Sequence, residues 1–134
     1  MNQTMKQFRS HAIAAALCML CLSLLAPAVR ATTVTECMGM IDSLYALTDG
    51  THFLGQNAAK DESGLLGKLL EAKMKLNQAK FPDAIGKLTD YRNKVMSLAS
   101  QRKINTDPAE GTTAEDLVKG ADAAIQCIRD LCRC

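Results

Sequence analysis

The stretch from Glu62 to Ala99 constrains this chain more than any other part of it. It holds two amphipathic helical patterns that meet at Phe81-Pro82-Asp83. In the first, Leu65, Leu69, Ala72, Leu76 and Ala79 recur in steps of four and three, which puts them on one face of a helix from Glu62 to Lys80. Leu66 and Leu70 widen that stripe, as a bundle helix touching two neighbours requires. Pro82 ends the pattern, because its ring clashes with a carbonyl one turn back, yet it suits the first turn of a new helix. That second helix is expected from Pro82 to about Gln101, with Ile85, Leu88, Tyr91, Val95 and Leu98 inward and Ala84, Arg92 and Ala99 on the flanks. Asp83 then sits where the helix dipole favours a carboxylate. The turn is short, so the two helices must lie antiparallel. Glu71–Lys75, Asp83–Lys87 and Asp90–Lys94 have i,i+4 spacing and read as pairs on a solvated outer face.

The remaining segments read as packing onto this hairpin. Before it, Cys37, Ile41, Leu44 and then Leu47 or Thr48 predict a helix over 34–47, capped by Thr35 and stopped by Asp49-Gly50 with Gly50 left-handed. The loop over 51–61 holds His52, with Phe53 and Leu54 expected over one end of the core. After the hairpin, the polar loop over 102–113 has Ile104 as its inward residue. Its Asp107 and Glu110 lack the alternating oxygen ligands of a calcium motif. Thr112 and Thr113, each followed three residues on by Glu115 and Asp116, make a capping box. The last helix then buries Leu117, Ala121, Ala124, Ile128 and Leu131, with Val118 and Ile125 beside them and Glu115–Lys119 outside. The expected fold is all-α: a small up-and-down four-helix bundle around a central antiparallel helical hairpin, stapled by a disulfide.

Residues 1–31 read as a signal peptide and 32–134 as one domain. Lys6 and Arg9 precede an uncharged apolar run over 12–26, too short for a comfortable membrane span. Cleavage is expected after Ala31, with Ala28 as the alternative. Leu17 before Cys18 and Leu20 before Cys21 argue against a lipid anchor. Losing Lys6, Arg9 and Arg30 takes the 16 basic residues to thirteen against 14 acidic ones, a net charge of −1. A basic nucleic-acid face is therefore not expected, and neither is stable membrane insertion after cleavage. The expected address is the periplasm or the extracellular space.

Cys37, Cys127, Cys132 and Cys134 remain, an even number that reads as disulfides in an exported chain. Four cysteines allow three connectivities. In an up-and-down bundle the start of the first helix lies beside the end of the last, which favours Cys37–Cys127. Cys132 and Cys134 are then left to pair with each other, bind something or link chains. Thiolates and thioethers suit Cu(I), so Met38, Met40, Cys132 and Cys134 form a soft-metal candidate set. Met38, Met40, Met74 and Met96 are also adaptable enough to line an apolar pocket. For catalysis the candidates are thin. His52 is the one histidine past the leader, and Glu71, Asp83 and Asp90 would need to converge in a cleft. No catalytic residues and no cofactor are expected.

The run Gly64-Leu65-Leu66-Gly67-Lys68-Leu69 with Ala72, the run from Asp83 through Tyr91 with Val95, then Lys103-Ile104 and the segment from Ala121 to Ile128 carry a resemblance. Over residues 36–128 the chain resembles the FIMAH-type helical module of secreted and surface proteins of bacteria and archaea. The resemblance implies a compact helical accessory with no catalytic residues to carry over. Two departures stand out: the module is expected to stand alone behind its own signal, and it carries cysteines outside the core motif. The expected function is that of an exported non-enzymatic module that binds an envelope or extracellular macromolecule. The alternative is a carrier of a small ligand or of copper, using the Cys/Met-rich end.

Overall fold

The computed structural model describes residues 32–134, and the expected signal peptide lies outside them. Four helices follow one another: α1 (Val34–Asp49), α2 (Ala58–Asn77), α3 (Phe81–Ser100) and α4 (Ala114–Cys132), with a single 3-10 turn at Pro108–Glu110. Each helix packs on two others, α1 on α2, α2 on α3, α3 on α4 and α4 back on α1. The result is the expected up-and-down ring of four, closed by the α1–α4 seam.

The stripes read from the sequence form the core. Leu65, Leu69, Ala72 and Leu76 of α2 are buried, as are Leu88, Tyr91, Val95 and Leu98 of α3 and Leu117, Ala121, Ala124 and Ile128 of α4. At the margins the assignments shift. On α3 it is Ala84 that is buried, and Ile85 stands half out. On α2 the expected broad stripe is narrower: Leu66 is half-buried and Leu70 is 50% exposed. On α1, Thr48 takes the inward place and Leu47 points out. Phe53 covers the core as expected, but Leu54 beside it is 44% exposed.

Helix ends differ from expectation for local reasons. Thr33, not Thr35, caps α1: its Oγ1 accepts from the Glu36 N–H while the Glu36 carboxylate accepts from the Thr33 N–H. Gly50 is not left-handed; its φ is −86°. The Thr51 hydroxyl donates to the Leu47 carbonyl instead, satisfying a carbonyl at the helix end. α2 starts four residues before Glu62, because Ala58-Ala59-Lys60 are good helix formers. It ends at Asn77, so Ala79 is not part of the stripe but left-handed, at φ 55°. There the Lys80 N–H donates to the Lys75 carbonyl and the Ala79 N–H to Leu76, a Schellman arrangement with alanine where glycine is usual. Arg102 closes α3 in the same way, with Lys103 N–H on Leu98 and Arg102 N–H on Ala99. Thr113 and Asp116 form the capping box of α4.

The two long connections, α1–α2 and α3–α4, lie at one end and are tied together. Phe53 and Ile104 make an antiparallel bridge, with the Leu54 N–H on the Lys103 carbonyl and the Asn105 N–H on the His52 carbonyl. Asn105 is buried, and its side chain organises the second loop. It donates to the carbonyls of Asp107 and Thr112 and accepts from the Asp107 N–H.

The α2–α3 seam corrects the reading of its charges. The acids pair across the hairpin, not along each helix. Lys87 meets Glu71, Lys75 meets Asp83 at 3.6 Å, Lys94 meets Asp61 at 2.9 Å and Lys68 approaches Asp90 at 4.0 Å. Antiparallel helices set the basic residues of one beside the acids of the other, and long lysine stems span the gap. Of the expected i,i+4 pairs only Glu115–Lys119 forms, at 2.8 Å.

Candidate functional site

The α1–α4 seam is where the chemistry-bearing residues gather. Cys37 is wholly buried and Cys127 nearly so, and their sulfurs are at bonding distance with Cα atoms 5.6 Å apart. This staple joins positions 90 residues apart and closes the ring. The chain-entropy estimate for such a loop is roughly 4–5 kcal/mol. Cys132 and Cys134 are also at bonding distance from each other, with Cα atoms 5.2 Å apart. Two such pairs fit an oxidising compartment. No helix among the described residues is long and apolar enough to cross a membrane.

Next to the staple, Gly120 of α4 faces the Leu44 side chain of α1. A Cβ built on Gly120 would lie 2.8 Å from Cδ1 of Leu44, so glycine is what admits this approach. An open apolar groove of about 560 Å³ lies on the outside of this seam. Gly39, Ser43, Gly120 and Ala123 give it small side chains, and Met40 and Leu47 are among its larger apolar ones. Met40 is 43% and Leu47 41% exposed. Glu36 also lines it. The flanking helices are acidic. α1 has Glu36, Asp42 and Asp49 and no lysine or arginine, and α4 has Glu115, Asp116, Asp122 and Asp130 against Lys119 and Arg129. α2 and α3 lean the other way, with seven basic residues against five acidic. Asp42 pairs with Lys73 of α2 and Asp122 with Arg92 of α3, and Glu36 is the acid that lines the groove itself.

A second groove, of about 500 Å³, runs between α1 and α2 and is lined by Met38, Leu70, Lys73, Met74 and Asn77. Of the four methionines, Met38 and Met74 line this groove and Met40 lines the first. The soft-metal set is not brought together, however. Met38 and Met40 line different grooves, because two residues along a helix are about 200° apart around it. Cys132 and Cys134 are engaged with each other. Among the described residues no group of three or more His, Cys, Asp or Glu side chains is placed to hold a metal ion.

The candidate catalytic groups do not converge either. His52 is exposed in the α1–α2 loop and takes part in the loop bridge through its carbonyl. Glu71, Asp83 and Asp90 lie on the α2–α3 seam, each beside a lysine. The hydrogen bond and charge of Lys87 hold the Glu71 carboxyl below its ordinary range, which suits a fixed anion and not a proton donor. Among the described residues the one strongly shifted group is Tyr91, whose phenol burial pushes up to about 12. It lies in the core, away from both grooves.

Comparison with protein-family models, with curated proteins and with solved structures finds no match to this chain.

Proposed function

We propose that the chain is an exported, non-enzymatic helical module that binds another macromolecule of the envelope or extracellular space, in the accessory manner that the FIMAH-type resemblance implies. The observation that carries this reading is the α1–α4 groove. It joins exposed apolar side chains, Met40 and Leu47, to a floor of small residues on the acidic side of the bundle. Such a surface suits a cationic amphipathic segment laid along the seam. Helix-in-groove recognition uses apolar anchors for affinity, and charge supplies steering and register. The methionine adapts its shape to such an occupant.

The test is affinity capture from an envelope extract with wild type and with a Met40→Glu/Leu47→Glu variant. Both positions are substantially exposed, so the variant is expected to melt with the wild type. Wild type should recover a reproducible partner, the variant at least tenfold less, and rising salt should weaken recovery. Equal recovery by the two proteins, or none by either, would reject the proposal.

A further inference from the structure

We infer that Cys132 and Cys134 form a thiol–disulfide exchange site whose partners are dithiols, distinct from the structural Cys37–Cys127 bond. Four observations point the same way. The first is what the bond joins. Cys37–Cys127 ties α1 to α4 across 90 residues, whereas Cys132–Cys134 ties residues two apart that the chain already holds together. Stabilisation by a disulfide grows with the loop it closes, so the second bond adds little to the fold.

The second observation is access. Cys37 and Cys127 are in the core, but Cys132 is only half-buried and Cys134 is exposed. Exchange requires a thiolate to reach one sulfur of the bond, so exposed bonds are the labile ones. The third is the residue between them. Arg133 is left-handed, at φ 54°. That conformation is unfavourable for a side chain with a Cβ, and here it turns the chain back so the two cysteines meet. The fourth is a ready partner for the reduced state. The Cys132 sulfur lies 3.6 Å from the Arg129 carbonyl oxygen, which can accept the S–H formed on reduction.

The chemistry balances with a dithiol as reductant. One thiolate of the dithiol attacks the exposed Cys134 sulfur. The Cys132–Cys134 bond breaks, a mixed disulfide forms on Cys134, and Cys132 leaves as a thiolate that takes a proton from water. The second thiolate of the dithiol then attacks the mixed disulfide. This forms the dithiol's own disulfide and releases Cys134, which is protonated in turn. Two electrons and two protons have passed to the protein, and the partner has been oxidised.

The test uses the purified chain, dithiothreitol as the probe, alkylation of freed thiols and peptide mapping. Cys132 and Cys134 should become alkylated at a dithiothreitol concentration at least tenfold below that needed for Cys37 and Cys127, with the helical circular dichroism unchanged. Oxidised wild type should also convert a reduced two-cysteine peptide to its disulfide in equal amount, and a Cys132→Ser/Cys134→Ser variant should convert none. That variant should melt within about 2 °C of wild type. Simultaneous labelling of all four cysteines, or no transfer from wild type, would overturn the inference. So would a much larger fall in melting temperature for the variant.

Discussion

The Tyr91 hydroxyl reaches across the core from the middle of α3 to Thr48 near the end of α1, with the two oxygens 2.7 Å apart. Both residues are fully buried. The Thr48 hydroxyl also lies 2.7 Å from the Leu44 carbonyl and donates to it. Its one proton is therefore used, and Tyr91 must donate to Thr48. α1 and α3 do not pack directly on each other among the described residues, so this polar tie spans the ring diagonally.

The direction of that bond predicts unequal mutants. Tyr91→Phe removes the donor and leaves Thr48 satisfied by Leu44, at a cost of about 1 kcal/mol. Thr48→Val removes the acceptor and strands a buried phenol, at a cost of up to about 3 kcal/mol. Urea melts of the two variants would compare them directly. Equal losses, or a greater loss for Tyr91→Phe, would refute the assignment of donor and acceptor.

Tyr91 also makes the fold sensitive to alkali. Its folded-state phenol is pushed up from 10 to about 12 by burial, so the folded state keeps a proton that the unfolded state loses. The contribution is complete below the unfolded value and is lost as pH rises through this window. Two pH units correspond to about 3 kcal/mol. In a Tyr45→Phe background, where Tyr91 is the remaining tyrosine, phenolate absorbance should appear late and together with loss of helix. Ionisation near 10 with the helices intact would contradict it.

Leu69 and Leu88 anchor the two sides of the hairpin and are wholly buried. Leu69→Ala and Leu88→Ala should each cost about 2–5 kcal/mol in a denaturant melt. A loss under about 1 kcal/mol at both positions would break the packing account.

Glycine and alanine should exchange roles at two places. Ala79→Gly should stabilise by up to about 1 kcal/mol, because Ala79 is left-handed at φ 55°. Gly120→Ala should destabilise despite better helix propensity, since its Cβ would press on Leu44, itself packed in the core. Thermal melts moving in the opposite directions would be inconsistent with these backbones.

The bundle was legible in the sequence because its core is periodic. Leu65–Leu69–Leu76 and Leu117–Ala121–Ile128 announce their faces by spacing alone, and the staple at Cys37–Cys127 follows from topology once four helices are counted. Features that depend on how helices meet were not legible. The pairing of Lys87 with Glu71 and of Lys94 with Asp61 depends on the register between α2 and α3, which intrahelical spacing does not contain. Asn105 lies in a polar loop where no spacing marks it as buried, and only its place beside inward Ile104 points to its role. Left-handed Ala79 and Arg102 carried no signal, since neither residue type favours that conformation. The α1–α4 groove is lined from two helices, and the place of Gly120 against Leu44 appears only when those helices are set side by side.

Disulfide mapping of the unreduced chain tests directly whether the ring closes at the α1–α4 seam. Tryptic cleavage at Arg129 and Arg133 places Cys127, Cys132 and Cys134 on separate peptides. Cys37 should be linked to the peptide carrying Cys127, and Cys132 to Cys134. Cys37 joined to Cys132 or Cys134 would contradict this pairing.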